Sequence, residues 1–245
     1  MNTEFLQTLK ENTGFVLTCL LIFAALILVA WAAQKLLTRD RRHLSGAKTI
    51  CFVAIFSAIA ALLMFIEIPL FFAPSFYQID LSEIPILICT FYLGPVAGVA
   101  CEMLKIILKL FMKGTSTAFV GDFANFVVGC ALVLPASVVY HCKKSKKTAI
   151  AGLVIGTLVM TVFGSAFNAI YLLPKFAQLY GMPMEALVGM GTAINPRITN
   201  VSSLVMFATV PFNIVKGVIV SFLTLVLYKR VEKVLFRVQE GKKKN

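Results

Sequence analysis

The sequence predicts an all-α polytopic membrane protein: a six-helix bundle preceded by one extra N-terminal transmembrane helix. Three observations predict it. Hydrophobic residues make up 59% of the 245 and charged residues only 14%, values outside the soluble range. Apolar runs of the roughly 20 residues that a bilayer requires recur along the chain. The positive charge is segregated: Lys35 to Lys48, Lys143 to Lys147 and Lys229 to Lys244 hold 16 of the 23 basic residues and sum to +13, while the remaining charges sum to −1. That is the positive-inside pattern of a multi-pass protein.

The composition also excludes function classes. No basic face is interleaved with aromatics, so nucleic acid is not a partner. The six cysteines form no CxxC pair and only His43 and His141 are present, which leaves almost no material for a metal centre or a histidine-based triad. GxxxxGK[ST], GxSxG and HExxH motifs are absent. The chain reads as a non-enzyme that needs no cofactor and does not hydrolyse ATP by itself.

The first apolar stretch, Gly14 to Leu37, contains Ala30-Trp31-Ala32, which looks like a leader-peptide cleavage site. Its basic residues follow the core instead of preceding it, so it is read as a retained helix with its N-terminus outside. The second span runs from about Thr49 to Ile66. Pro69 and Pro74 then break Glu67 to Asp80 into an outer loop. Leu81 to Met112 is too long for one span and contains Gly94-Pro95. If Gly94-Pro-Val-Ala-Gly98 is a tight inner turn between two short helices, all three basic clusters fall inside. Lys113 to Thr117 is then external, and helices follow at 118 to 140, at 149 to about 173 with Pro174 as its stop, and at about 204 to 228. The segment from Lys175 to about Ser203 is read as a long outer connection. The domain division is 1–47, the extra helix and a basic loop; 48–230, the bundle; and 231–245, a basic cytoplasmic tail. The protein is placed in the plasma membrane.

Polar groups at membrane depth are costly and mark candidate sites. Asn213 and Lys216 share one face of the last helix, placed near its outer end. Asn168 lies in the outer third of the preceding helix beside Gly164 and Ser165, and it can equally join two helices. Asp122 and Asn125 open the helix after the Thr-Ser-Thr loop, where Asp122 suits capping as well as binding. Glu102, Lys105 and Lys109 form one stripe, read as structural pairing. Phe71, Phe72, Phe76 and Tyr77 suit either an interfacial belt or stacking on a planar ligand.

Four motifs, Pro74-Ser-Phe-Tyr-Gln-Ile-Asp-Leu-Ser-Glu-Ile-Pro85, Leu93-Gly-Pro-Val-Ala-Gly98, Thr117-Ala-Phe-Val-Gly-Asp-Phe-Ala-Asn-Phe126 and Pro211-Phe-Asn-Ile-Val-Lys-Gly217, resemble the riboflavin-specific S component of energy-coupling-factor (ECF) transporters over residues 48 to 230. The resemblance implies a six-helix S-component bundle that captures riboflavin, or FMN, outside. It delivers the ligand only with a transmembrane coupling subunit and two ATP-binding subunits. It also implies polar ligand contacts at Asn168, Asn213 and Lys216, closure of the loop Glu67 to Asp80 with Phe76 and Tyr77 as its stacking aromatics, and a coupling strip at Ala54-Ile-Phe-Ser-Ala58. The extra helix and its Trp31 lie outside the family pattern. An S component for another vitamin, a self-sufficient secondary transporter and a membrane enzyme are the rival readings.

Overall fold

A computed structural model describes residues 13–37, 46–115, 117 and 119–240, the side chains at 13–16, 18, 19 and 231–240 aside. Glu4, Lys10, Glu11, Arg39, Arg41, Arg42, Ser116, Ala118 and Lys242 to Lys244 lie outside these residues. In chain order the elements are α1 (Thr13–Leu37), α2 (Gly46–Leu63), a hairpin of β1 (Ile68–Pro69) and β2 (Gln78–Ile79), α3 (Glu83–Leu93), α4 (Pro95–Lys113) and α5 (Val120–Cys142). Then come α6 (Lys146–Phe167), α7 (Leu173–Leu179), α8 (Met184–Thr192), α9 (Val201–Leu204) and α10 (Val210–Glu240). Among the described residues four helical segments are long and apolar enough to cross a bilayer: Gly46–Leu63, Val120–Cys142, Lys146–Leu179 and Val201–Arg230.

The stretch from Leu81 to Met112 divides as its Gly94-Pro95 pair predicts. Gly94 takes φ 109°, the region open to glycine, and separates α3 from α4. The two fold back on each other, so that Cys89 Sγ lies 3.5 Å from Cys101 Sγ and Lys105 reaches Ser82 near the start of α3 at 3.1 Å. This hairpin turn shares one end of the bundle with the basic segments. Gln34, near the end of α1, bonds Val96, the Phe91 and Tyr140 rings are 4.5 Å apart, and the Tyr140 and Tyr228 hydroxyls are hydrogen-bonded. The described members of the basic clusters, Lys35, Lys48, Lys143 to Lys147, Lys229 and Arg230, flank these same helix ends.

The length of α3 decides where a cavity can form. Its 11 residues rise about 16 Å, half of a bilayer core. Above its N-terminus the space between the longer helices is left to the β1–β2 hairpin. Below it, Leu87, Phe91, Leu132, Ala136, Leu153, Met160 and Val220 close a packed inner core.

Three expectations need correction. Pro174 does not end its helix: a π turn at Asn168–Leu172 leads into α7, and the rod continues to Leu179. The wider turn gives the proline ring the room that a regular helix would deny it. The outer connection from Lys175 to Ser203 is not irregular, because it holds the end of α7 and the whole of α8. The last helical run begins at Val201, where Asn200 and Ser203 form a capping box, and passes through a second π turn at Val205–Thr209. Lys216 therefore lies about midway along the span Val201–Arg230, not near its outer end.

Candidate functional site

The two π turns stand side by side at the end of the bundle opposite the basic segments, and Tyr77 from the loop bridges them. Its hydroxyl donates to Asn168 Oδ1 at 2.6 Å. That uses its only proton, so the Thr209 hydroxyl donates to Tyr77 at 2.8 Å. Burial pushes the Tyr77 phenol above its usual range, against the two side-chain hydrogen bonds, and keeps it neutral. The loop is thus sealed onto α6 and α10 through one buried aromatic. The Phe76 ring lies tilted against it at 4.6 Å, and the ring of Phe212 of α10 is 5.2 Å away.

Beneath this seal lies a cavity of about 160 Å³, lined by Phe76, Asn125, Phe167, Asn168, Asn213 and Lys216 among others. Through Phe76, Gln78 and Asn125 it meets a larger outer cleft of about 460 Å³ that carries Ser75, Asp80, Thr117 and Asp122, roofed by Tyr180, Met182 and Met190. The inner chamber is an aromatic slot edged with four carboxamides, those of Gln78, Asn125, Asn168 and Asn213; the larger cleft is the more polar of the two. Asn213 Nδ2 donates to Ser165 Oγ at 3.3 Å. It approaches α6 this closely because position 164 is glycine, where a Cβ would already lie 3.3 Å from that nitrogen.

The floor is a buried charge cluster. Lys216 Nζ lies 3.0 Å from both Asp80 Oδ2 and Glu83 Oε1. Lys105 is 2.7 Å from Glu102 Oε2, 3.7 Å from Glu83 Oε1 and 2.9 Å from Asn125 Oδ1. Asn125 completes the ring by donating to Asp80 Oδ2 at 3.3 Å. Burial alone would raise the Asp80 carboxyl; Lys216, Lys105 and the Ser82 hydrogen bonds outweigh it and hold the group well below the usual carboxylate range. Two of the three donors of Lys216 are committed to carboxylates, leaving one for the cavity.

Six of the seven pocket residues named from the sequence, Phe76, Tyr77, Asn125, Asn168, Asn213 and Lys216, line the inner chamber together. Asp122 stands apart in the outer cleft. Its Oδ1 is 2.5 Å from Lys109 Nζ, so it is an ion-pair partner with no capping bond, and Oδ2 is buried without a hydrogen-bond partner. The stripe on α4 pairs as its spacing indicates for Glu102 and Lys105, whereas Lys109 reaches across to α5. Phe71 is 92% exposed and lines neither chamber. Trp31 is exposed on α1, with Lys35 5.0 Å above its ring. Asp80, Glu83, Thr209 and Phe212 were not singled out from the sequence. All but Thr209 lie inside quoted motifs, but the partner of Asp80 and Glu83 is more than 130 residues away, and Thr209 owes its place to a π turn that leaves no sequence signal.

A sequence model described as the substrate-specific component of ECF transporters matches residues 48–228. The chain is 36% identical over 201 residues to the riboflavin transporter RibU of Staphylococcus aureus, covering 82% of this chain and 98% of that protein. It is 27% identical over 186 residues to the riboflavin transporter FmnP of Bacillus subtilis, covering 76% and 92%. Among solved structures, one described as the S component of a bacterial ECF transporter superposes with a TM-score of 0.61 at 35% identity, covering 78% of this chain and 99% of that one.

Proposed function

The chain belongs to the substrate-specific components of ECF transporters, and from that premise we propose that it captures riboflavin at the outer face of the plasma membrane for ATP-dependent uptake. The observation that carries the reading is the convergence of Asn125, Asn168 and Asn213 on a slot walled by Phe76, Phe167 and Phe212. The imide edge of a flavin ring presents acceptor, donor and acceptor, and carboxamides supply both complements. Flat aromatic walls suit the tricycle. The inner chamber is too small for a whole flavin, so the ring takes the slot and the ribityl chain runs into the polar outer cleft beside Gln78 and Ser75. Energy comes from elsewhere: a transmembrane coupling subunit and two ATP-binding subunits drive the uptake.

The detergent-purified protein is expected to carry a flavin absorbance band, or to quench riboflavin fluorescence on titration. Asn213→Ala should weaken binding by about 1–3 kcal/mol, the cost of leaving a buried polar partner unpaired. A colourless protein indifferent to riboflavin would overturn the substrate, and unchanged affinity in Asn213→Ala would move the flavin out of the slot.

The proposed orientation has the N-terminus outside and the C-terminus in the cytoplasm. Exposed Cys142, at the basic end, should be shielded from an impermeant thiol reagent in intact cells, whereas Glu185→Cys in α8 should be labelled. The reverse pattern would invert the bundle.

A further inference from the structure

α1 precedes the stretch shared with the family, which starts at residue 48, yet it is built into the bundle. Phe23, Ile27, Ala30 and Gln34 recur at three- and four-residue spacing and so form one stripe. Ala30 is fully buried. Phe23 lies 5.9 Å from Phe126, and Ile22, Leu26 and Ile27 join a cluster with Val99 and Ile106 of α4 and Val127 and Cys130 of α5. At the inner end of the stripe Gln34 Oε1 accepts the Val96 N–H at 3.2 Å. Val96 is in the first turn of α4, where amides have no partner within the helix. Pro95 removes one such donor by having none, and Gln34 satisfies the next from a different helix. Gln34 also rests on Gly94, where a Cβ would lie 3.1 Å from its Oε1. The opposite side of α1, with Leu20, Leu21, Leu28 and Trp31, is exposed.

We infer that α1 is a permanently docked seventh helix that seals the α4–α5 face, and that Gln34 is the external cap holding the Gly94-Pro95 turn. Undocking would strand the Val96 amide and the Gln34 side chain in or beside hydrocarbon, where nothing replaces their bond. Two consequences follow for the rest of the molecule. α4 carries Lys105 and Lys109 towards the cavity, and α1 braces it from behind. A protein partner also finds the α4–α5 face already covered, and must dock elsewhere on the bundle. Neither consequence depends on which ligand the cavity takes.

The test is a disulfide between Ala30→Cys and Val99→Cys in the full chain, formed by mild oxidation in membranes. Most of the protein should cross-link within one chain, with riboflavin binding and cellular uptake equal to the parent's, while Leu28→Cys on the lipid side should not link to the same partner. Absence of the cross-link would overturn the docking, and a cross-link that abolishes uptake while flavin binding persists would overturn its permanence. Failure of the parent to bind riboflavin would instead count against the ligand proposal, and the cross-link would still decide this one. The cap is read separately: Gln34→Leu should lower the thermal midpoint by roughly 2–4 °C, and Gln34→Glu, which keeps an acceptor oxygen, should restore it. Equal midpoints in all three proteins would overturn the role of Gln34.

Discussion

Replacing Lys216 with methionine should destabilise the ligand-free bundle by about 3–5 kcal/mol, the cost of breaking a buried ion pair from one side, before any effect on a flavin is counted. The reason is the company this lysine keeps. Asp80 and Glu83 each lie 3.0 Å from its nitrogen and are 5% and 1% exposed. Without it, Lys105 alone faces three carboxylates, Asp80, Glu83 and Glu102. A fall in thermal midpoint of roughly 10 °C is expected in detergent. Adding Asp80→Asn and Glu83→Gln to Lys216→Met removes the orphaned charges and should recover most of the loss, because a neutral, hydrogen-bonded cluster of similar volume has no such desolvation cost. Flavin affinity should stay low in the triple variant if the remaining Lys216 donor serves the ligand. A ligand-free midpoint unchanged in Lys216→Met would show that the cluster carries no structural load and that Lys216 serves the cavity only.

This dual role marks how far the sequence could be read. Lys216 was legible as a costly charge at membrane depth, and Asn213 as its neighbour on one helical face, because both follow from spacing along a single helix. The fold back at Gly94-Pro95 was legible from parity, since only an inner turn there puts all the basic segments on one side. The pairing of Glu102 with Lys105 at three residues' separation was legible for the same local reason. What pairs with Lys216 was not, since Asp80 and Glu83 enter from a loop and from the tip of a half-length helix. The course of the outer segment was also hidden. Pro174, Gly181 and Pro183 read as breakers, but a π turn absorbs the first and a left-handed Gly181 (φ 59°) turns the chain into α8. The stop rules describe regular helices, and this end of the bundle is built from irregular ones.

Replacing Ala54 and Ala58 together with tryptophan should abolish both co-purification with the coupling subunit and cellular riboflavin uptake, while the isolated protein binds flavin like the parent. The two alanines lie one turn apart on α2 and both are exposed, whereas Ser57, Ala60 and Ala61 form the buried side of the same helix. Large rings at 54 and 58 would therefore project away from the bundle core, and the cavity, lined from the loop, α5, α6 and α10, would keep its walls. In lipid, helices associate through close packing and not through water exclusion, so a strip of small side chains is what lets a second helix approach. Two indoles would hold the backbones several ångströms apart and forfeit that packing along the contact. The α4–α5 face offers no substitute because α1 already covers it. Loss of flavin binding in the double variant would mean that the strip supports the pocket after all, and unimpaired assembly would place the coupling surface on the exposed faces of α6 or α10.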